Sequence, residues 1–172
     1  MANKNPWIKY ILILIVALAL LGINGLKNKK YEPSNEKLFK LNSVEINEIS
    51  FSKDTLSVTL QKSDTTWFFA YPDTGNVSQD KVEKFFENII EKGERTGYQT
   101  DNPENYERYN ITDEKATKVM IRATNDKVIE FFTSRSEGNW TFDYVRFPND
   151  PKVYITSKKI MFYLSEKASF WR

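Results

Sequence analysis

Residues 56–71 read LSVTLQKSDTTWFFAY. Leu56, Val58 and Leu60 alternate with Ser57, Thr59 and Gln61, the period of two that a half-buried strand requires. Ser63-Asp64 is turn chemistry, because Asp competes for local backbone hydrogen bonds. Thr66–Tyr71 then reads as an aromatic strand, ended by Pro72, Asp73, Thr74 and Gly75. Two strands and a tight turn make an antiparallel hairpin, so this stretch predicts a meander.

Working outward, Val44, Ile46, Ile49 and Phe51 form an earlier strand. Its alternation slips by one residue near Asn47, which predicts a bulge. Lys53-Asp54 turns that strand into Leu56. Downstream, Val82, Phe85, Phe86, Ile89 and Ile90 fall at helical spacing. They predict a helix over 79–92 that covers the sheet, capped by Ser78 and stopped by Gly93. Thr100–Tyr109 reads as irregular, with a helical turn after Pro103, and Thr112 caps another turn through Lys115. Val119, Ile121 and Ala123 form a strand, as do Val128–Thr133, Trp140–Phe147 and Val153–Ile155. Lys158–Leu164 reads as a short final helix, and the chain ends Phe170-Trp171-Arg172.

The two halves echo each other. TTWFFAYP at 65–72 matches GNWTFDYVRFP at 138–148, and one shift carries Trp67 to Trp140, Phe69 to Phe142 and Tyr71 to Tyr144. A duplicated βββα unit accounts for this; so does the likeness that alternation gives any two aromatic strands. The expected fold class is α+β, antiparallel β-meanders with covering helices. The domain spans 43–172, with halves 43–99 and 100–172.

Ahead of the domain, Tyr10–Ile23 is an uncharged apolar run. Ile8 to Leu26, wound as a helix, is about 28 Å long, the thickness of a bilayer's hydrocarbon core. The favoured reading is a single transmembrane signal anchor over 7–26, preceded by a short tail at 1–6 and followed by a polar tether at 27–42. A cleaved signal peptide and a buried helix apolar on all faces compete with it. Trp7 and Tyr10 suit the headgroup belt. Lys4 and Lys9 nearly balance Lys27, Lys29 and Lys30, so the positive charges set no clear orientation. A short tail before a first apolar helix favours the C-terminal domain outside the cytoplasm. The expected location is a bacterial inner membrane with a periplasmic domain.

Composition excludes more than it assigns. The 172 residues hold no Cys and no His. Thiol nucleophiles, Ser-His-Asp and Cys-His arrangements, His-zinc sites, disulfides and lipoprotein anchors are therefore all ruled out. The formal net charge of +2 gives no case for nucleic acid. The six glycines are not clustered, so no loop cradles a nucleotide phosphate. Asp73 and Asp143 follow or lie in aromatic strands, but nothing in the spacing brings them together as a carboxylate pair. Asp101, Glu104 and Glu107 lack the loop pattern of a calcium site. No catalytic residue, metal ligand or cofactor is expected, and the chain does not read as an enzyme.

Trp67 to Pro72, the Val82–Ile90 helix, Tyr106 to Ile111, Tyr144-Val145-Arg146 and Val153-Tyr154 occur in an order that resembles the membrane-anchored bacterial family filed as domain of unknown function 4340. Asn110 stands where that family often has Gly, and Asn tolerates the left-handed backbone next best. The resemblance implies an extracytoplasmic accessory role beside ABC transporters of the gliding-motility type, and no catalytic residues. Two functions are therefore expected. The first is a non-catalytic membrane-tethered interaction module of an ABC transporter or envelope complex. The second is a glycan- or peptide-binding domain using aromatic side chains. The candidate contact residues are Arg146, Tyr144, Trp140 and Trp67. Arg146 shares a strand face with aromatic residues, where it would either stack internally or bind a ligand carboxylate or phosphate.

Overall fold

The computed structural model describes residues 7, 10, 13–19, 36–41, 45–125 and 127–172. The chain divides into two compact units, Met1–Glu32 and Pro33–Arg172.

In the first unit, Trp7, Tyr10 and residues 13–19 are helical. Ile13, Leu14, Ile15, Val16 and Leu18 are all exposed there. The expected transmembrane helix over 7–26 is not found: no helix among the described residues is long and apolar enough to cross a membrane. The tail at 1–6, residues 20–26 and the tether at 27–35 lie outside the described residues.

The second unit is a nine-stranded antiparallel sheet, counted among the described residues. Its strands are β1 (Glu36–Lys37), β2 (Ile46–Lys53), β3 (Leu56–Ser63), β4 (Thr66–Phe69), β5 (Glu94–Thr100), β6 (Thr117–Ala123), β7 (Val128–Arg135), β8 (Asp143–Arg146) and β9 (Val153–Thr156). They lie in the order β1-β5-β9-β8-β7-β6-β2-β3-β4. Two meanders, β2–β3–β4 and β6–β7–β8–β9, meet along β2 and β6, where Ile49 faces Ile121 and Phe51 faces Val119. The bulge expected near Asn47 sits between Ile46 and Glu48. Both expected turns contain a left-handed Asp, Asp54 at φ 51° and Asp64 at φ 53°.

The expectation of meanders each covered by a helix is overturned. Among the described residues of this unit there is one short α-helix, α1 (Gln79–Phe85), continued by a π-helical stretch, Phe86–Glu91. Its apolar stripe does face the sheet, with Val82, Phe85, Ile89 and Ile90 buried. A wide α-helical stripe would spread Phe85, Phe86, Ile89 and Ile90 around the helix. Wider π winding, seen in the Lys92 N–H to Glu87 C=O bond, draws them onto a narrower arc. Gly93 follows it where only glycine fits, since a Cβ there would lie 2.0 Å from the Ile89 carbonyl oxygen.

The duplicated βββα unit fails in the second half. A fourth strand, β9, follows β8, and the segment 158–164 forms turns, not a helix. Its backbone is claimed by Asp143 in β8, whose Oδ2 accepts from the N–H groups of Ile160 (2.7 Å) and Met161 (2.9 Å). Turns then deliver Ile160 and Leu164 to the core. Trp171 completes that core, stacked on Phe51 with ring centroids 4.8 Å apart. Phe51 also meets Phe85 edge to face at 5.4 Å.

Leu38 and Phe39 are buried in the same core, so stretch 36–39, read as tether, belongs to the folded unit. On the opposite sheet face, the segment 101–116 packs Ile111 and Ala116 against Phe132 and Val153.

Candidate functional site

The four candidate contact residues do not form one site. Trp67 in β4 is 6% exposed and packs on Phe86 at 5.5 Å. The Gln79 side chain brackets its backbone, accepting from Trp67 N–H and donating to Trp67 C=O, both at 3.0 Å. Trp67 is a core residue that pins α1 to the sheet edge.

Arg146 in β8 is also buried. Its guanidinium lies between the rings of Phe132 (4.2 Å) and Tyr106 (4.8 Å). Nε donates to the Ile111 carbonyl at 3.2 Å, and the Nη2 end pairs with Asp113. The internal alternative for Arg146 is therefore the one that the geometry realises. Its cation ties the segment 101–116 down onto β7 and β8. Tyr144 is half-buried, against Tyr109 at 5.1 Å. Tyr154 is buried and donates its hydroxyl to Asp150. Burial first, and that hydrogen bond second, push its phenol up to about 12.

Trp140 is different. It stands three residues ahead of β8 and is 83% exposed. Asn139 shapes this loop by accepting from the Thr141 N–H at 2.8 Å.

The imagined carboxylate pair dissolves. Asp73 follows β4 and Asp143 lies in β8, five strand spacings or about 24 Å apart across the sheet. Asp143 is fully buried, and its Oδ1 also accepts from Lys159 Nζ at 3.2 Å. It is an anchor for the segment after β9. Among the described residues no group of three or more His, Cys, Asp or Glu could hold a metal ion.

A site does assemble at one end of the sheet. The ends of β2 and β7, the start of β6 and the segment 161–167 enclose a cleft of about 600 Å³. Two smaller pockets, of about 250 and 260 Å³, open beside it, and all three share Arg135 and Glu137. Trp140 and Phe162, 58% exposed, line one of them. Tyr109 and Tyr144 line the other. Cations sit over the exposed rings, Lys159 Nζ 5.8 Å from Trp140 and the Arg135 guanidinium 5.6 Å from Phe162. Glu137 accepts from the Asn110 side chain at 2.9 Å. Asn110 takes the left-handed conformation expected of it, φ 50°, which turns the chain toward the cleft. Thr117, Thr133 and Ser134, all buried, lie at its wall.

Of these residues, sequence reasoning singled out Trp140 and Tyr144. Arg135, Glu137 and Thr117 carry no local signal, and Phe162 lies in the stretch expected to be a helix. Four separate elements bring them together, and no spacing in one sequence reports that.

No family model, curated protein or solved structure matches this chain.

Proposed function

We propose that the protein is a non-catalytic interaction module of the cell envelope, whose contact surface is the cleft around Arg135 and Glu137. The accessory role beside an ABC transporter, implied by the family resemblance, names the first assembly to test. The observation that carries the reading is the pairing of Trp140 and Phe162. Large apolar rings are normally turned inward, as Trp67 and Trp171 are. These two are left in solvent at the mouth of one pocket, beside the charged side chains of Arg135, Glu137 and Lys159, which is the composition of a recognition surface. The absence of His and Cys from the sequence and the full engagement of Asp143 favour binding over chemistry.

The test places a photoreactive phenylalanine analogue at Phe162 of the full-length chain in cells. Irradiation is expected to join the protein covalently to an envelope component, either an assembly subunit or a glycan. Recovery of the uncoupled protein alone would overturn the reading.

A further inference from the structure

We infer that the pocket lined by Arg108 and Arg135 seats a side-chain carboxylate of a partner protein, and that the apolar residue next to that carboxylate rests on Trp140 and Phe162. This rests on the proposed contact surface, and it names the chemistry of the partner. The chain has six arginines. Four are engaged inside the molecule: Arg95 pairs with Glu36, Arg122 with Glu48 and Arg146 with Asp113, and Arg172 donates to the Thr74 carbonyl. The other two, Arg108 and Arg135, have no acceptor among the described residues, and both line the same pocket of about 260 Å³.

Each of the two is held only by a ring. The Arg108 guanidinium lies 5.8 Å from the centre of Tyr109, and that of Arg135 lies 5.6 Å from the centre of Phe162. A ring has no lone pair to offer in the guanidinium plane, so the N–H fork of each stays open. Open forks at the wall of one pocket match the two oxygens of a carboxylate, which accepts from arginine in parallel bonds.

Other groups of the wall also donate. The Tyr109 hydroxyl accepts from Gln99 Nε2 at 3.5 Å and keeps its own proton to give. Tyr144 adds a second phenol. Glu137 is the single acid of this lining, and one of its oxygens is taken by Asn110. Two guanidiniums against one carboxylate leave one positive charge over, which a monoanion cancels. That favours a carboxylate over a phosphate monoester, which carries nearly two charges near neutral pH.

The apolar half follows from position. Arg135 also lines the neighbouring pocket, where Trp140 and Phe162 are exposed. A carboxylate on Arg135 therefore brings the next side chain of its own polypeptide to those rings. An anionic bilayer fits less well, because Glu114 and Glu166 line the adjoining cleft and would face the same negative surface.

The experiment titrates the full-length protein, in an uncharged detergent, against decapeptides blocked at both ends and bearing an uncharged dye, read by fluorescence anisotropy. In a Gly-Ser background, one peptide carries two Glu-Phe pairs, a second two Gln-Phe pairs, a third two Glu-Ser pairs and a fourth two phosphoserine-Phe pairs. Saturable binding of the Glu-Phe peptide is expected, with the Gln-Phe and Glu-Ser peptides about tenfold weaker. Arg108→Gln and Arg135→Gln should each weaken the Glu-Phe peptide about tenfold with Tm unchanged, since both side chains are exposed. Arg122→Gln removes the same charge from the far end of β6, where Arg122 faces Val128, and should leave affinity unchanged. No saturation by the Glu-Phe peptide at millimolar concentration would overturn the assignment, as would equal binding of the Gln-Phe peptide or unchanged affinity in the Arg108 and Arg135 variants. Tighter binding of the phosphoserine peptide would overturn the carboxylate in favour of phosphate. If the peptides fail while position 162 couples to a protein in cells, the carboxylate seat falls and the interaction module stands. If both fail, both fall.

Discussion

Trp67 and Trp140 open two segments that look alike in sequence, and the fold treats them in opposite ways. In the first segment β4 begins at Thr66, so the pleat turns Trp67 toward the core. In the second, β8 begins only at Asp143, and Trp140 stays in the preceding loop. A shift of strand start by a few residues converts a core side chain into a surface platform. The lesson is that an aromatic motif reports a strand nearby but does not say which ring is spent on stability.

The sharpest way to break this contrast is to delete the buried member. Trp67→Ala should destabilise the folded unit by about 4 kcal/mol, leaving a cavity beside Phe86 and loosening α1. Urea unfolding followed by far-ultraviolet circular dichroism measures it; a loss comparable to a surface substitution would refute the assignment. Next in size, Asp143→Ala should lose about 3 kcal/mol, because it strands the Lys159 ammonium and two backbone N–H groups. Lys159 also lies over Trp140, so the exposed ring should move with it: a changed Trp140 emission is expected in the same variant.

A smaller effect belongs to alkaline pH. The Tyr154 phenol is raised from 10.0 to about 12 in the folded protein, so its neutral form is the one that folding favours. Its contribution is complete below the unfolded value of about 10 and is lost as pH rises through about 12. Tyr154→Phe should therefore flatten the stability loss across that window, and matching pH profiles for the two proteins would contradict it. Smallest of all, Trp140→Ala should change stability by no more than about 0.5 kcal/mol. A larger loss would make Trp140 structural and erase the contrast with Trp67.

Local signals were legible where local physics decides. The alternation of Leu56, Val58 and Leu60, the left-handed Asp54 and Asp64, the phase slip at Asn47 and the helical stripe from Val82 to Ile90 all rest on neighbours in sequence. What escaped was decided at long range. β5 reads ERTGYQT, with no alternation, and is half-buried along most of its length with two register shifts against β9. The segment after β9 has helical spacing, yet a carboxylate from β8 takes its amides. Trp140 stands out in the sequence as part of an aromatic stretch expected to be a strand over 140–147, but the strand begins only at Asp143 and leaves it in the loop ahead. Phe162, which lines the same pocket, becomes meaningful only once the strand ends converge.

The seam between β2 and β6 has a kinetic consequence. β2, β3 and β4 are joined by tight turns, so that meander closes over short loops. The partner of β2 on its other side is β6, which comes much later in the chain. A chain growing from its N-terminus therefore holds Ile46–Lys53 as an edge strand with one row of backbone groups unpaired until residues 117–123 arrive. Closing that seam is the expected slow step of folding. It is also the interval in which β2 is most open to pairing with the wrong strand, and the segment that a holding chaperone would most usefully mask.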